Sequence, residues 1–392
     1  MNVGGTCDPR FAVVREEFVH NFTQRDEHGG AVWVSIDGRT VVDLWGGWAD
    51  AGRTRAWTGD TLVNAFSVGK GVAAAVAARL REQGRIDPDG AVARFWPEFA
   101  AAGKEAVTVA QVLSHEAGLP AVRRRLPPGA MFDHEVMATA LAAQEPWWEP
   151  GTAHGYHVNT FGFLVGELVR RVTGRTLGAV IAEDVAGPFE ADIHLGLPAS
   201  EDHRVAEFLW TGPTFDEAEP AGLEEHALMV HNAYANPGGL SGMGVVNTRA
   251  WRAAEIPSTN MHASARGVGR FYETLAAGRL VGPAALAEAV RERVNGEDLV
   301  LGRPSRFGLG FQLTQPERPL GPNAGAFGHF GAGGSLGFCD PEAGLAFGYV
   351  MNAMGARWQN PRNRALIDAV YRSLGVPEGP AVKGQNAQGT DR

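Results

Sequence analysis

Lysine is nearly missing from this chain of 392 residues. Only Lys70, Lys104 and Lys383 occur, and the other 32 basic residues are arginine. A lysine inside a motif therefore carries unusual weight. Two cysteines, Cys7 and Cys339, are too few for a disulfide framework, and neither has a partner at metal-ligand spacing. A reducing compartment is the simplest expectation. No run of 18 apolar residues occurs, so no transmembrane helix is predicted. Residues 1–11 lack the basic and apolar stretches of a secretory signal. A cytoplasmic protein without a membrane partner is expected. The net charge of −9 argues against a general nucleic-acid surface. What remains is a globular composition, 44% hydrophobic and 20% charged, long enough for one large domain or two modest ones.

Asp8-Pro9 ahead of Phe11, Val14, Phe18 and Phe22 predicts an N-capped amphipathic helix. Residues 31–36 and 41–45 are β-rich and flank Asp37-Gly38, which predicts a hairpin. Val68 to Gln83 is alanine-rich and stops at Gly84, a buried helix with a glycine end. Val109 to Ser114 reads as a short helix. Phe161, Leu164, Val165, Leu168, Val169 and Val172 follow the helical period up to Gly174. Residues 197–245 read as loop, and 263–277 and 282–294 as helices. Strands are predicted at 307–313, around Phe338 and at 345–350, then a helix at 361–374 and a frayed tail over 377–392. Strands near both ends with helices between them predict an α+β fold: an antiparallel sheet built from both termini, flanked by helices, with an inserted helical domain. The predicted division is 1–80 with 290–376 for the sheet domain, and 81–289 for the mainly helical one.

Three segments can carry chemistry. In Ser67-Val68-Gly69-Lys70 the hydroxyl and the amine share one helical face. Serine is a weak nucleophile and needs a base. Burial and the positive end of a helix both lower a lysine's pKa and make it one. Ten serines and three lysines would give this spacing by chance roughly 0.08 times. The bland alternative is a serine cap beside an exposed lysine. That lysine would oppose the helix dipole within an apolar segment. Tyr156, just before the helix at 161–172, can present its phenol to a cleft. Near a lysine ammonium its phenolate would be stabilised and act as a base, although a tyrosine here is more commonly a packing residue. The third segment, Phe327 to Gly337, has glycines that let a substrate lie against the backbone and an edge strand able to offer an N–H to an oxyanion. A glycine-rich bulge with a surface histidine is its plain alternative. Gly333-x-Ser335-x-Gly337 matches a nucleophile elbow, yet a hairpin rather than a helix is predicted to follow it, and no histidine comes after His329.

Together these segments resemble the serine β-lactamase/penicillin-binding superfamily with its β-lactamase/DD-peptidase-like fold, nearest to class C β-lactamases and closer still to family VIII carboxylesterases. The resemblance spans roughly residues 10–375 and includes Trp96-Pro97-Glu98-Phe99, Ser114-His115-Glu116-Ala117-Gly118 and Gly331 to Asn352. It implies that Ser67 is the acylated nucleophile, Lys70 its base, and Tyr156 the group that moves the proton to the leaving group. It implies an oxyanion hole from the N–H groups of Ser67 and Ala332, each donor contributing ~3 kcal/mol. His329-Phe330-Gly331 stands where relatives have Lys-Thr-Gly, whose lysine offers charge to a substrate carboxylate. Tyr156-His157-Val158 stands for Tyr-x-Asn, with Asn159 one place late, so Val158 loses a polar contact. Both departures favour a neutral, short-chain ester, unless a nearby arginine compensates.

The expected activity is a serine carboxylesterase acting on small esters, with no cofactor. The alternatives are a β-lactamase, an amidase or D-aminopeptidase, or an acyltransferase using the same acyl-enzyme. A ligand-binding relative that has lost activity is the non-enzyme reading, against which stands the retention of Ser67, Lys70 and Tyr156. His154-x-x-His157 is the one histidine pair at helical ligand spacing, apart from looser groups such as His226 and His231, and no catalytic metal is expected. Trp147, Trp148 and Trp210 are candidates for an apolar pocket, or equally core residues. The oligomeric state is left open.

Overall fold

The structure is a computed structural model that describes residues 2–211 and 222–376. The expected tail over 377–392 lies outside the described residues. Strands β1 (Val3–Cys7), β2 (Gly29–Ile36) and β3 (Arg39–Gly47) come from the N-terminal end. The two-residue strands β4 (Val63–Asn64), β5 (Ile193–His194) and β6 (His262–Ala263) form a small sheet of their own. The C-terminal part supplies β7 (Val294–Asp298), β8 (Arg303–Phe307), β9 (Gln312–Leu313), β10 (Phe327–Phe330), β11 (Leu336–Asp340) and β12 (Leu345–Met351). The main sheet is antiparallel in the order β1-β3-β2-β12-β11-β10-β9-β8-β7. The two chain ends meet where β2 pairs with β12, in the register Val34↔Phe347 and Val32↔Tyr349.

Helix α1 (Ala12–Gln24) follows a short turn that Asp8 caps through the Arg10 N–H. Helix α2 (Val68–Glu82) is buried over nearly its whole length. The middle holds α3 (Val109–Leu113), α4 (His134–Ala143), α5 (Thr160–Thr173), α6 (Leu177–Ile181), α7 (Glu225–Ala235), α8 (Arg249–Ala253), α9 (Ala265–Ala276) and α10 (Pro283–Ala289). The chain closes with α11 (Pro361–Ser373). Side chains alternate across the sheet. On one face, Gly337, Gly348 and Trp33 meet α9. On the other, Asp340 and Tyr349 reach the α11 side, where the Tyr371 hydroxyl bonds Asp340 at 2.5 Å and Arg362 meets Glu27 at 3.4 Å. The result is the expected α+β architecture of helix, sheet and helix.

Several expectations change. Strand β1 was not anticipated, because Val-Gly-Gly-Thr-Cys carries little β signal. Residues 197–245 were expected as loop, yet α7 lies there. Its buried positions include Asn232, whose amide bonds the Val122 carbonyl, so no plain apolar stripe marks it. The helix expected to Val294 ends at Ala289, and Val294 opens β7. The strand expected over 307–313 is split by a Gly308–Gly310 turn. Helix α9, counted with the helical insert from sequence, packs directly on β2, β11 and β12.

Candidate active site

Ser67 caps α2, and its side chain remains partly exposed. The residue before it, Phe66, holds φ at +50°, a conformation that costs a non-glycine residue of order 1–3 kcal/mol. Aromatic contacts pin it there. Its ring meets Phe208 at 4.9 Å and Trp210 at 6.2 Å. One of the three candidate pocket tryptophans thus stands beside the nucleophile's neighbour. Trp147 and Trp148 lie further off and pack with Val158 and Tyr234, their indole N–H groups bonded to the Ala121 and Ala153 carbonyls.

Lys70 is wholly buried, one turn into α2. Its Nζ lies 3.0 Å from Ser67 Oγ, 2.6 Å from the Val158 carbonyl and 3.0 Å from the Ser258 carbonyl. Burial pushes its pKa well below the usual ammonium range. A neutral amine has two N–H donors and one lone pair. The two carbonyls take the donors, which turns the lone pair toward the serine hydroxyl. The geometry suits proton transfer from Ser67 to Lys70.

Tyr156 precedes α5 and is nearly buried. Burial holds its phenol above the ordinary range, against the opposing influence of the nearby Ser67 hydroxyl. Burial thus disfavours the expected phenolate anion and favours a neutral phenol. The ring stacks on Phe307 at 5.7 Å and on His329 at 6.0 Å, and Lys70 Nζ lies 4.8 Å from its centroid. Its backbone N–H reaches both carboxylate oxygens of Asp298, at 3.0 and 3.1 Å. Asp298 also accepts from the Val300 and Leu301 N–H groups and from the Ser305 hydroxyl, so one buried carboxylate ties the β7–β8 connection to the tyrosine. Sequence reasoning missed Asp298 and the Ser258 carbonyl, since no local pattern announces either.

His329 is wholly buried beside α2. Burial, with the charge of Arg318 nearby, holds its ring neutral, and its Nε2 has no hydrogen-bond partner among the described residues. The strand carrying it is interior in the sheet order. However, β9 pairs only with Phe327 and Gly328, and the Gln312 side-chain oxygen accepts from the Phe330 N–H at 2.9 Å, so that flank is open only beyond Phe330. Gly331 approaches the nucleophile's segment closely: a Cβ there would stand 2.3 Å from the Ala65 carbonyl. Among the described residues, the N–H groups of Ser67 and Ala332 donate to no acceptor. Val158 contributes its carbonyl to Lys70. Asn159 is buried and bonds the Ala233 carbonyl, Ser241 and Thr259, which makes it a structural tie. Ser335 is buried and leads into β11, a strand where an elbow would need a helix.

No three His, Cys, Asp or Glu side chains among the described residues stand together as a metal site. Both His157 nitrogens are engaged, by the Leu119 N–H and the Gly155 carbonyl, and His154 bonds Ser305. No described helix is long and apolar enough to cross a membrane.

The sequence profile of the Beta-lactamase family matches residues 15–372. The chain belongs to the beta-lactamase family. Among curated proteins it is similar to the esterase/beta-lactamase LipL of Mycobacterium tuberculosis, 38% identical over 367 residues, which cover 90% of this chain and 83% of that one. Among solved structures it resembles a family VIII carboxylesterase at 44% identity and a TM-score of 0.88, covering 95% of this chain and all of the other. EstA from Arthrobacter nitroguajacolicus Rue61a follows a similar course at 35% identity and a TM-score of 0.85, covering 96% of this chain and 99% of that one. Within the beta-lactamase family this chain is a serine hydrolase.

Proposed function

We propose that the protein is a carboxylesterase that hydrolyses short-chain esters through an acyl-enzyme on Ser67. The observation that carries this reading is the buried Lys70 amine, 3.0 Å from the Ser67 hydroxyl, whose pKa burial pushes well down toward the neutral form that can accept the serine proton. Ser67 Oγ attacks the ester carbonyl as its proton passes to Lys70. The oxyanion accepts from the N–H groups of Ser67 and Ala332. When the tetrahedral centre collapses, the C–O bond to the alcohol breaks. The leaving oxygen takes a proton through the Tyr156 hydroxyl, which Lys70 resupplies. A water molecule then attacks the acyl-serine, its proton returns by the same groups, and the acid leaves. His329 is neutral and offers no full charge, which favours a substrate without a carboxylate at that position. The relatives named as esterases support this choice over an amidase or an acyltransferase.

The test is p-nitrophenyl butyrate hydrolysis by wild type and Ser67→Ala side by side. Loss of turnover in the variant, with loss of covalent labelling by a serine-directed phosphonate, is expected. Turnover that survives in Ser67→Ala places the nucleophile elsewhere.

A further inference from the structure

Two arginines near Tyr156 have no carboxylate within ion-pair distance among the described residues. Arg318, in the turn that leads from β9 to β10, lays its guanidinium 3.7 Å from the Phe330 ring centroid and 5.3 Å from that of Trp358. Arg303, at the start of β8, lies 4.2 Å from the same indole. Among the described residues the Nε of each is buried and lacks an acceptor, and one Nη of Arg318 donates to the Arg357 carbonyl at 3.2 Å. Several half-buried arginines elsewhere are paired, Arg204 with Asp192 and Glu201, Arg25 with Glu17 and Arg252 with Asp202, whereas Arg55, Arg79 and Arg81 meet carbonyls. Two cations that share one indole repel each other. Burial and Arg303 push the Arg318 pKa down to about 9. An anion received here would relieve both costs.

The position relates this pair to the reaction. The charge of Arg318 is felt at Tyr156 and at His329. Phe330, beneath its guanidinium, directly precedes Gly331 and Ala332, just past the point where β9 and the Gln312 side chain cover β10. Tyr156 is the group that delivers a proton to the leaving oxygen, so this side of the site faces the alcohol portion of the ester. We infer that Arg318, with Arg303 on the same indole, receives a carboxylate carried on the alcohol portion of the substrate. The guanidinium fork suits a carboxylate's two oxygens and remains charged at neutral pH. The inference rests on the esterase reading and revises its expectation of an uncharged substrate. The charge absent at His329 is supplied from the turn before β10.

The probes are 4-acetoxybenzoate and 4-acetoxybenzamide, which share an acyl group and differ in the charge of the alcohol portion. Wild type should favour the carboxylate, and Arg318→Gln should lower the ratio of the two kcat/KM values by about 30-fold, the usual scale for one charged hydrogen-bonded contact. Arg318→Lys should keep part of the preference and covers the case in which the glutamine variant fails to fold. Calorimetry with 4-hydroxybenzoate gives a readout without turnover: its affinity should fall about as much in Arg318→Gln. A ratio and an affinity that stay within twofold of wild type would overturn the proposal. Failure of the esterase reading looks different. Neither probe would be hydrolysed, or Ser67→Ala would remain active, while 4-hydroxybenzoate binding would still report on Arg318.

Discussion

Two of the three lysines lie below the surface and are held in nearly the same way, though burial weighs more heavily on Lys70. Lys70 gives its amine to the Val158 and Ser258 carbonyls; Lys104 gives its own to the Ala101 and Gln144 carbonyls. Burial lowers the pKa of both. The difference is in the remaining direction. At Lys70 it meets the hydroxyl of Ser67, whereas the ring of Phe99 lies 5.5 Å from the Lys104 amine. Burial and a depressed pKa therefore do not make a site. A base becomes useful when its lone pair has a proton to take. Lys104 instead ties the loop after Phe99 to the end of α4.

The sharpest way to break this comparison is to remove each lysine in turn. Lys70→Ala should lower ester kcat/KM by roughly 10⁴-fold or more, as the loss of a nucleophile's base does elsewhere. Lys104→Met should keep kcat/KM within about threefold of wild type and instead lower unfolding stability in urea by about 2–4 kcal/mol, from two carbonyls left unpaired. An inactive but folded Lys104→Met would end the distinction. The surroundings of Lys70 also include free N–H groups for an oxyanion. Ala332→Pro removes one of them at the first position of a short helical turn, where proline is tolerated. It should lower kcat by about 10²–10³-fold with little change in thermal stability.

Titration sharpens the contrast further. Only neutral Lys70 can take the serine proton, so kcat/KM should rise with pH through the depressed pKa and level off well below the ordinary lysine range. Lys104→Met should leave that profile in place. An acid limb found only in the ordinary lysine range would overturn the neutral-base assignment.

The smallest effect concerns a third buried ionisable group. Glu27 lies against Tyr349 and Arg362, and burial pushes its pKa up from 4.5 to about 7. The folded protein thus holds this proton more tightly than the unfolded chain. Its contribution to stability is complete below about pH 4.5 and is lost as pH rises through about 7, by up to about 3 kcal/mol. Urea unfolding at pH 5 and pH 8 should show that decline in wild type and a flatter profile in Glu27→Gln; equal slopes would sink the assignment.

Local chemistry explains which features could be read in advance. Asp37-Gly38 turns the β2–β3 hairpin because both residues hold positive φ, at +49° and +75°, as a two-residue hairpin turn requires. Gly174 ends α5 in the left-handed conformation for the same steric reason. Ser67 and Lys70 were legible because helical spacing alone brings them together. The rest of the site rests on contacts between distant segments. Ser258 meets Lys70 not by its side chain but by a carbonyl that accepts from the amine, and its position depends on the fold. Asp298 reaches Tyr156 across 142 positions of sequence. Arg318 is an ordinary turn residue until β10 brings Phe330 beneath it. The two-residue strands β4, β5 and β6 are too short for any alternation to show.

The pairing of β2 with β12 sets an order of events during synthesis. The N-terminal hairpin leaves the ribosome early, with one apolar strand edge that only residues 345–351 can cover. At 5–20 residues per second, the stretch from Ser67 to Ala332 takes on the order of 15–50 s to make. Throughout that interval the nascent chain carries its serine and lysine without the backbone amide proposed to complete the reaction, and with an unpaired edge open to aggregation. Chains cut short before β12 should therefore accumulate as insoluble material rather than as stable half-enzymes.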